Sequence, residues 1–165
     1  ITLENNMFLE QATFTTVIDS TPLVSIDLVV INERDQALLG ERLNRPAQGY
    51  WFVPGGRILK NESIECAFKR LTLAELGYEF KIEDAELLGP YDHFYSDSVF
   101  GEHIKTHYVA IAYIVRATEE QLSNLPINEQ HGNYKLFDME TLNKNQQVHI
   151  HTKWYFDAIK SKGII

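Results

Sequence analysis

The sequence predicts an α/β or α+β sandwich, a mixed sheet with helices packed against it, on three observations. Apolar segments of strand character recur along the chain, a helix-period segment follows the Gly-rich PGGR (54–57), and a second helical segment covers 148–160. EQATFTTVIDS (10–20) reads as a short amphipathic helix, ahead of a strand in TPLVSIDLVVIN (21–32). The polar ERDQ (33–36) is a turn, and ALLGERL (37–43) pairs back as a hairpin. NRPAQG (44–49) is a loop on its Pro and Gly content, YWFVP (50–54) a short strand, and PGGR a turn. The next helix is expected over about 62–76, with Asn61 as N-cap, Glu62 at the positive end of the dipole and Gly77 as the left-handed C-terminal residue. Strands follow at 85–95, 106–116 and 134–139.

Length and composition bound the function. The 165 residues suffice for one domain with its own core; residues 7–165 are taken as that domain and 1–6 as an upstream extension or expression remnant. Cys66 is the only cysteine, which rules out a disulfide framework or thiolate cluster within the sequence and fits a reducing, cytoplasmic setting. The longest apolar run, PLVSIDLVVI (22–31), is interrupted by Ser25 and Asp27, and ITLENN lacks the basic start and apolar core of a secretory signal. No membrane association is expected. A net charge of −8 argues against nucleic acid as partner but leaves room for an anionic small molecule where positive charge is gathered. Arg42, Arg45 and Arg57 are three of only six arginines, and they bracket the Gly-rich segment.

On a helical wheel Ile64, Ala67, Phe68, Leu71 and Ala74 form one apolar stripe, and Glu75 projects into its middle. A carboxylate in the last turn also opposes the helix dipole, a cost of roughly 0.3–1 kcal/mol. Two readings follow. Either the helix frays at Gly77 and Glu75 reaches water or Arg70, or Glu75 meets a hard cation such as Mg²⁺.

Gly56, Glu62, Arg70, Glu75 and Gly77, spaced G-x5-E-x7-R…E-x-G, resemble the signature of the Nudix hydrolases. That resemblance implies a Nudix-type α/β/α sandwich, a divalent metal and a nucleoside diphosphate linked to another group as substrate. The usual signature has glutamates at 71 and 74 as well as 75, where this chain has Leu71 and Ala74. The departure is itself similar to one branch of the family, the GDP-mannose mannosyl hydrolases. RPAQGYWFVPGGR, RLTLAELG, HFY, THYV and EQH (129–131) carry the likeness, which runs from Met7 to near the end of the chain.

The branch resemblance implies Mg²⁺-dependent hydrolysis of GDP-mannose, or GDP-glucose, with water attacking the anomeric carbon and inverting it. One Mg²⁺ per site, replaceable by Mn²⁺, would be held by Gly55, Glu75 and Gln130, and His131 would be the general base. Arg42, Arg57 and Tyr108 match groups that hold the diphosphate or assist its departure. Asp27 and His93 match sugar or leaving-group contacts, and Met7, Phe8 and Phe14 a segment near the nucleotide, although core packing is the reading favoured for Phe14. Arg70 and Glu62 are read as supports of the turn. The resemblance also implies a homodimer. Two rivals stand beside this reading: an ordinary Nudix pyrophosphatase cutting at phosphorus, and a binding module that has lost catalysis.

Overall fold

Alternation along LVSIDLVVI sorts β1 (Leu23–Ile31) onto two faces, and those faces set the architecture. Ile26, Leu28 and Val30 enter one buried cluster, Val29 and Ile31 the other. The structure, a computed structural model, describes residues 9–126 and 131–165, with the backbone alone at 131 and 132. After α1 (Gln11–Ser20) and β1 come β2 (Ala37–Arg42), β3 (Trp51–Phe52), β4 (Gly55–Arg57) and α2 (Ile64–Leu76). A 3₁₀ turn at Ile82–Asp84 leads to β5 (Glu86–Tyr95), β6 (Thr106–Arg116), β7 (His131–Phe137), α3 (Met139–Lys144) and α4 (Ile150–Ser161).

The sheet order is β3-β2-β1-β6-β5, with β4 also on β1 and β7 also on β2. The β1–β6 pair is parallel, and the other strand pairs are antiparallel, so the sheet is mixed. Helix α2 covers one face through Ala67, Phe68, Leu71 and Leu76; α4 covers the other through Tyr155, Phe156 and Ile159. Among the described residues no helix is long and apolar enough to cross a membrane.

Four local expectations are corrected. Ser63, not Asn61, caps α2: its Oγ accepts from the Cys66 amide, while Asn61 takes a left-handed φ of 66° in the turn before it. The buried stripe of α2 is Ala67, Phe68, Leu71, Thr72, Glu75 and Leu76, a set of i,i+4 neighbours. Ile64, at the first turn, stays 42% exposed, and Ala74 lies on the exposed rim. GGR is a strand rather than a turn, pairing Gly55, Gly56 and Arg57 with Asp27, Ile26 and Ser25. Glycine suits the backbone crowding there, since a Cβ on Gly55 would lie 2.3 Å from the Ile26 carbonyl oxygen. EQHGN, a polar loop by composition, gives its last three residues to β7, whose pairing with β2 starts at Arg42 and His131.

Candidate active site

Strand registers bring the candidate residues together from distant parts of the chain. Asp27 pairs with Gly55 on one side of β1 and Ala112 on the other; Arg57 pairs with Ser25, and His93 with Tyr108. A cavity of about 470 Å³ opens over this end of the sheet. Asp27, Arg42, Gly55, Arg57, Glu75, His93 and Tyr108 all line it. Phe14 also lines it, packed against the cluster of Ile18, Leu23 and Ile104. Met7, Phe8 and Gln130 lie outside the described residues, as does the side chain of His131.

The helix wall carries little charge. Glu75 is buried, 7% exposed, and the Tyr134 hydroxyl donates to its carbonyl at 2.9 Å and lies 3.4 Å from its Oε2. Leu71 fills the place beside the Gly-rich strand: a Cβ on Gly56 would meet Leu71 Cδ2 at 2.6 Å. With Ala74 next along the lining, this wall presents one carboxylate. Among the described residues no three His, Cys, Asp or Glu side chains are grouped to hold a metal. Arg70 is tied to the segment before the helix, with Nε and Nη2 donating to Glu62 at 2.7 and 2.8 Å and Nη2 also to the Arg57 carbonyl at 2.9 Å. Glu62 in turn accepts from the Leu59 amide, and these bonds hold its carboxyl below the usual glutamate range. The pair acts as a brace that fixes β4 against α2.

Four arginines line the cavity; Arg45 is paired with Asp97 and Glu102 and Arg70 with Glu62, so Arg42 and Arg57 carry the positive charge left without a carboxylate ion pair among the described residues. Arg42 Nε is buried with no hydrogen-bond partner among the described residues, an orphaned donor on the lining of the cavity. Arg57 lies over the Phe14 ring, 4.5 Å from its centroid, which restrains the guanidinium without neutralising it. Planar forks of this kind suit phosphate oxygens. Burial raises the Tyr108 hydroxyl above its ordinary pKa, so it remains a proton-bearing donor at neutral pH.

The opposite wall is dense in buried polar groups. The Tyr155 hydroxyl lies 2.5 Å from Asp27 Oδ2 and 3.2 Å from His93 Nε2. Burial pushes Asp27 up to about 6 against the pull of Tyr155 and Arg42. His93 is pushed down to about 3, chiefly by burial and then by His151 and His149. Its ring is therefore neutral, and its 3.9 Å approach to Asp27 is not an ion pair. His151 stacks on His93 at 4.2 Å and 9°, and His149 stacks on Phe52 at 4.5 Å. Both are pushed down to about 4. Tyr155, His149, His151 and Tyr95 were not legible as site residues in the sequence. The one signal was Asp27 itself: an acid in an apolar strand requires a donor, and Tyr155 lies on the buried face of the final helix.

A NUDIX domain model matches residues 21–158. The chain belongs to the Nudix family. It is 37% identical over 143 residues to the low-salt glycan biosynthesis protein Agl8 of Haloferax volcanii, covering 87% of this chain and 85% of that protein. Among solved structures it resembles a MutT Nudix hydrolase from Burkholderia pseudomallei, with 26% identity and a TM-score of 0.66 over 85% of this chain and 99% of the other. The Nudix domain of Shewanella oneidensis NrtR, solved with ADP ribose, shares the fold at 18% identity and a TM-score of 0.65, over 93% of this chain and 99% of that one. The Nudix fold expected from the sequence is the fold observed, and Nudix hydrolase activity is the coarse function these likenesses support. Nudix hydrolases generally use a divalent metal such as Mg²⁺ or Mn²⁺. The donor set here fits one such ion: an oxygen ligand in Glu75, the Gly55 backbone on the same cavity, and room for substrate phosphates and water.

Proposed function

We propose that this Nudix enzyme hydrolyses GDP-mannose, or a closely related nucleoside-diphosphate sugar, at the anomeric carbon, releasing GDP and free sugar. The observation that carries this reading is the contrast between the two walls: a single carboxylate on α2, and an Asp27–Tyr155–His93 network, buried except at Asp27, on the other. Attack at phosphorus with clustered metals calls for several acids on the helix, where Leu71 and Ala74 stand instead. Attack at carbon calls for a stabilised diphosphate leaving group and one base behind the sugar.

Glu75, the Gly55 carbonyl and Gln130 would hold a single Mg²⁺ or Mn²⁺, which would supply positive charge to the diphosphate. Arg42 and Arg57 grip the diphosphate oxygens, and the gain is largest as negative charge grows on them. Tyr108 donates a hydrogen bond toward the same oxygens. His131 takes the proton of the attacking water, a task suited to an imidazole of ordinary pKa ~6.5. Asp27 and His93 orient the sugar. Met7 and Phe8 are assigned to nucleotide binding, and residues 7–165 to one domain within a homodimer. The name of the Haloferax volcanii relative, which places that protein in glycan biosynthesis, agrees with a nucleotide-sugar substrate.

Following turnover of GDP-mannose with Mg²⁺ by NMR tests the proposal. Expected are GDP and, as the first sugar product, mannose of the β configuration. GMP and mannose 1-phosphate would instead assign the chain to the ordinary pyrophosphatases, and binding without turnover to a module that has lost catalysis.

A further inference from the structure

Tyr155 has one proton to give and two partners within reach. A carboxylate can only accept, so the phenol donates to Asp27 Oδ2 across the 2.5 Å contact. Its oxygen is then an acceptor toward His93 Nε2 at 3.2 Å, and Nε2 must carry the hydrogen. In a neutral imidazole the other nitrogen is then bare. Among the described residues, His93 Nδ1 has no hydrogen-bond partner, and His93 and Asp27 line the same cavity. The stacked His151 ring covers one face of His93 and Trp154 packs alongside it, so the ring is held in its plane.

We propose that Tyr155 is a positioning residue that locks His93 in its Nε2–H tautomer, making Asp27 and His93 Nδ1 a pair of acceptors that selects a sugar carrying hydroxyl donors at that wall. The selection rests on the reading of this wall as the sugar end of the site; the tautomer lock does not. The pairing also explains why a tyrosine, rather than phenylalanine, occupies a fully buried position in the α4 core. A buried hydroxyl without partners would cost stability, whereas here each lone pair and proton has a place.

The test begins with ¹⁵N NMR of the histidine ring nitrogens in the intact, ligand-free protein at neutral pH. The lock requires His93 with a protonated Nε2 and a bare Nδ1; a protonated Nδ1 overturns it, whatever the substrate. Tyr155→Phe keeps the ring and removes the hydroxyl. Expected is a mixture of His93 tautomers, unchanged affinity for GDP, and a fall in kcat/KM for GDP-mannose of about 10–100-fold. An analogue lacking the recognised hydroxyl should be penalised far less by the same change. Equal losses for both sugars would overturn the selector, because a merely structural tyrosine would affect them alike. If the variant does not fold, the wild-type tautomer still decides the lock, and wild-type discrimination between the two sugars decides the selector. Failure of GDP-mannose as a substrate would show as no turnover with the Nε2–H tautomer intact, and is thereby distinguishable.

Discussion

The two walls of the cavity were built by different means. On the α2 wall, neighbours close in sequence meet: Glu62, Arg70 and Glu75 share one turn-helix unit, and its charge is mostly spent on bracing β4. On the other wall, β1, β5 and α4 each supply one member of a network, and Tyr155 and Asp27 stand 128 positions apart. The first wall offers a single carboxylate where the family's signature would place three. The second collects titratable groups in a largely buried environment, where each hydrogen bond is stronger and each unpaired group costlier. On the proposed function, the chemistry has moved from the signature helix toward the Asp27–His93 wall and His131.

The largest expected effects break the catalytic assignment itself. His131→Ala should lower kcat by about 10²–10⁴-fold while sparing metal affinity, whereas Glu75→Gln should lower both, as steady-state rates and Mg²⁺ titration would reveal. Normal turnover by both variants would remove the site. On the proposed role of Arg42 in stabilising charge that grows on the diphosphate, Arg42→Gln should raise the barrier by roughly 2–4 kcal/mol, with most of the loss in kcat.

A smaller effect sharpens the contrast through stability. Burial raises Asp27 from the ordinary 3.8 to about 6 in the fold, so ionising it costs the folded state. That stabilising share is whole below pH ~4 and lost as pH rises through about 6. Asp27→Asn should therefore be less active yet more stable above pH 6, by roughly 2 kcal/mol, with the gain vanishing near pH 4 in urea titrations. His93 and His151 have the opposite sign. Their folded pKa values, about 3 and about 4, lie below the ordinary 6.5, so the unfolded chain takes up protons first. Stability should fall as pH drops from about 6.5 toward 4, and His151→Asn should flatten that slope. The smallest effect is expected at the brace: Arg70→Lys loses the two-pronged grip on Glu62 and should cost about 1 kcal/mol or less, chiefly in thermal stability.

Local sequence carried much of the fold. The strand expected in TPLVSIDLVVIN, the helix expected over about 62–76 and Gly77 at its end each matched the element observed. Where the reading failed, a local rule had two claimants. Asn61 and Ser63 both suit an N-cap, and the positive φ of Asn61 gave the role to Ser63. Glycines in GGR signal a turn, yet close approach of β1 made them a strand. The six-residue α3 is too short for its period to show. For the site, Asp27 stood out because an acid within an apolar strand is conspicuous. Tyr155 did not, because an aromatic residue on the buried face of a helix looks like core until its partner across the sheet is known.

Hydrolysis of GDP-mannose in ¹⁸O-labelled water separates attack at carbon from attack at phosphorus. Attack at carbon predicts label in free mannose and none in GDP. Label in GMP or in mannose 1-phosphate would place the attack at phosphorus, and would contradict the account of a one-acid helix serving only the leaving group.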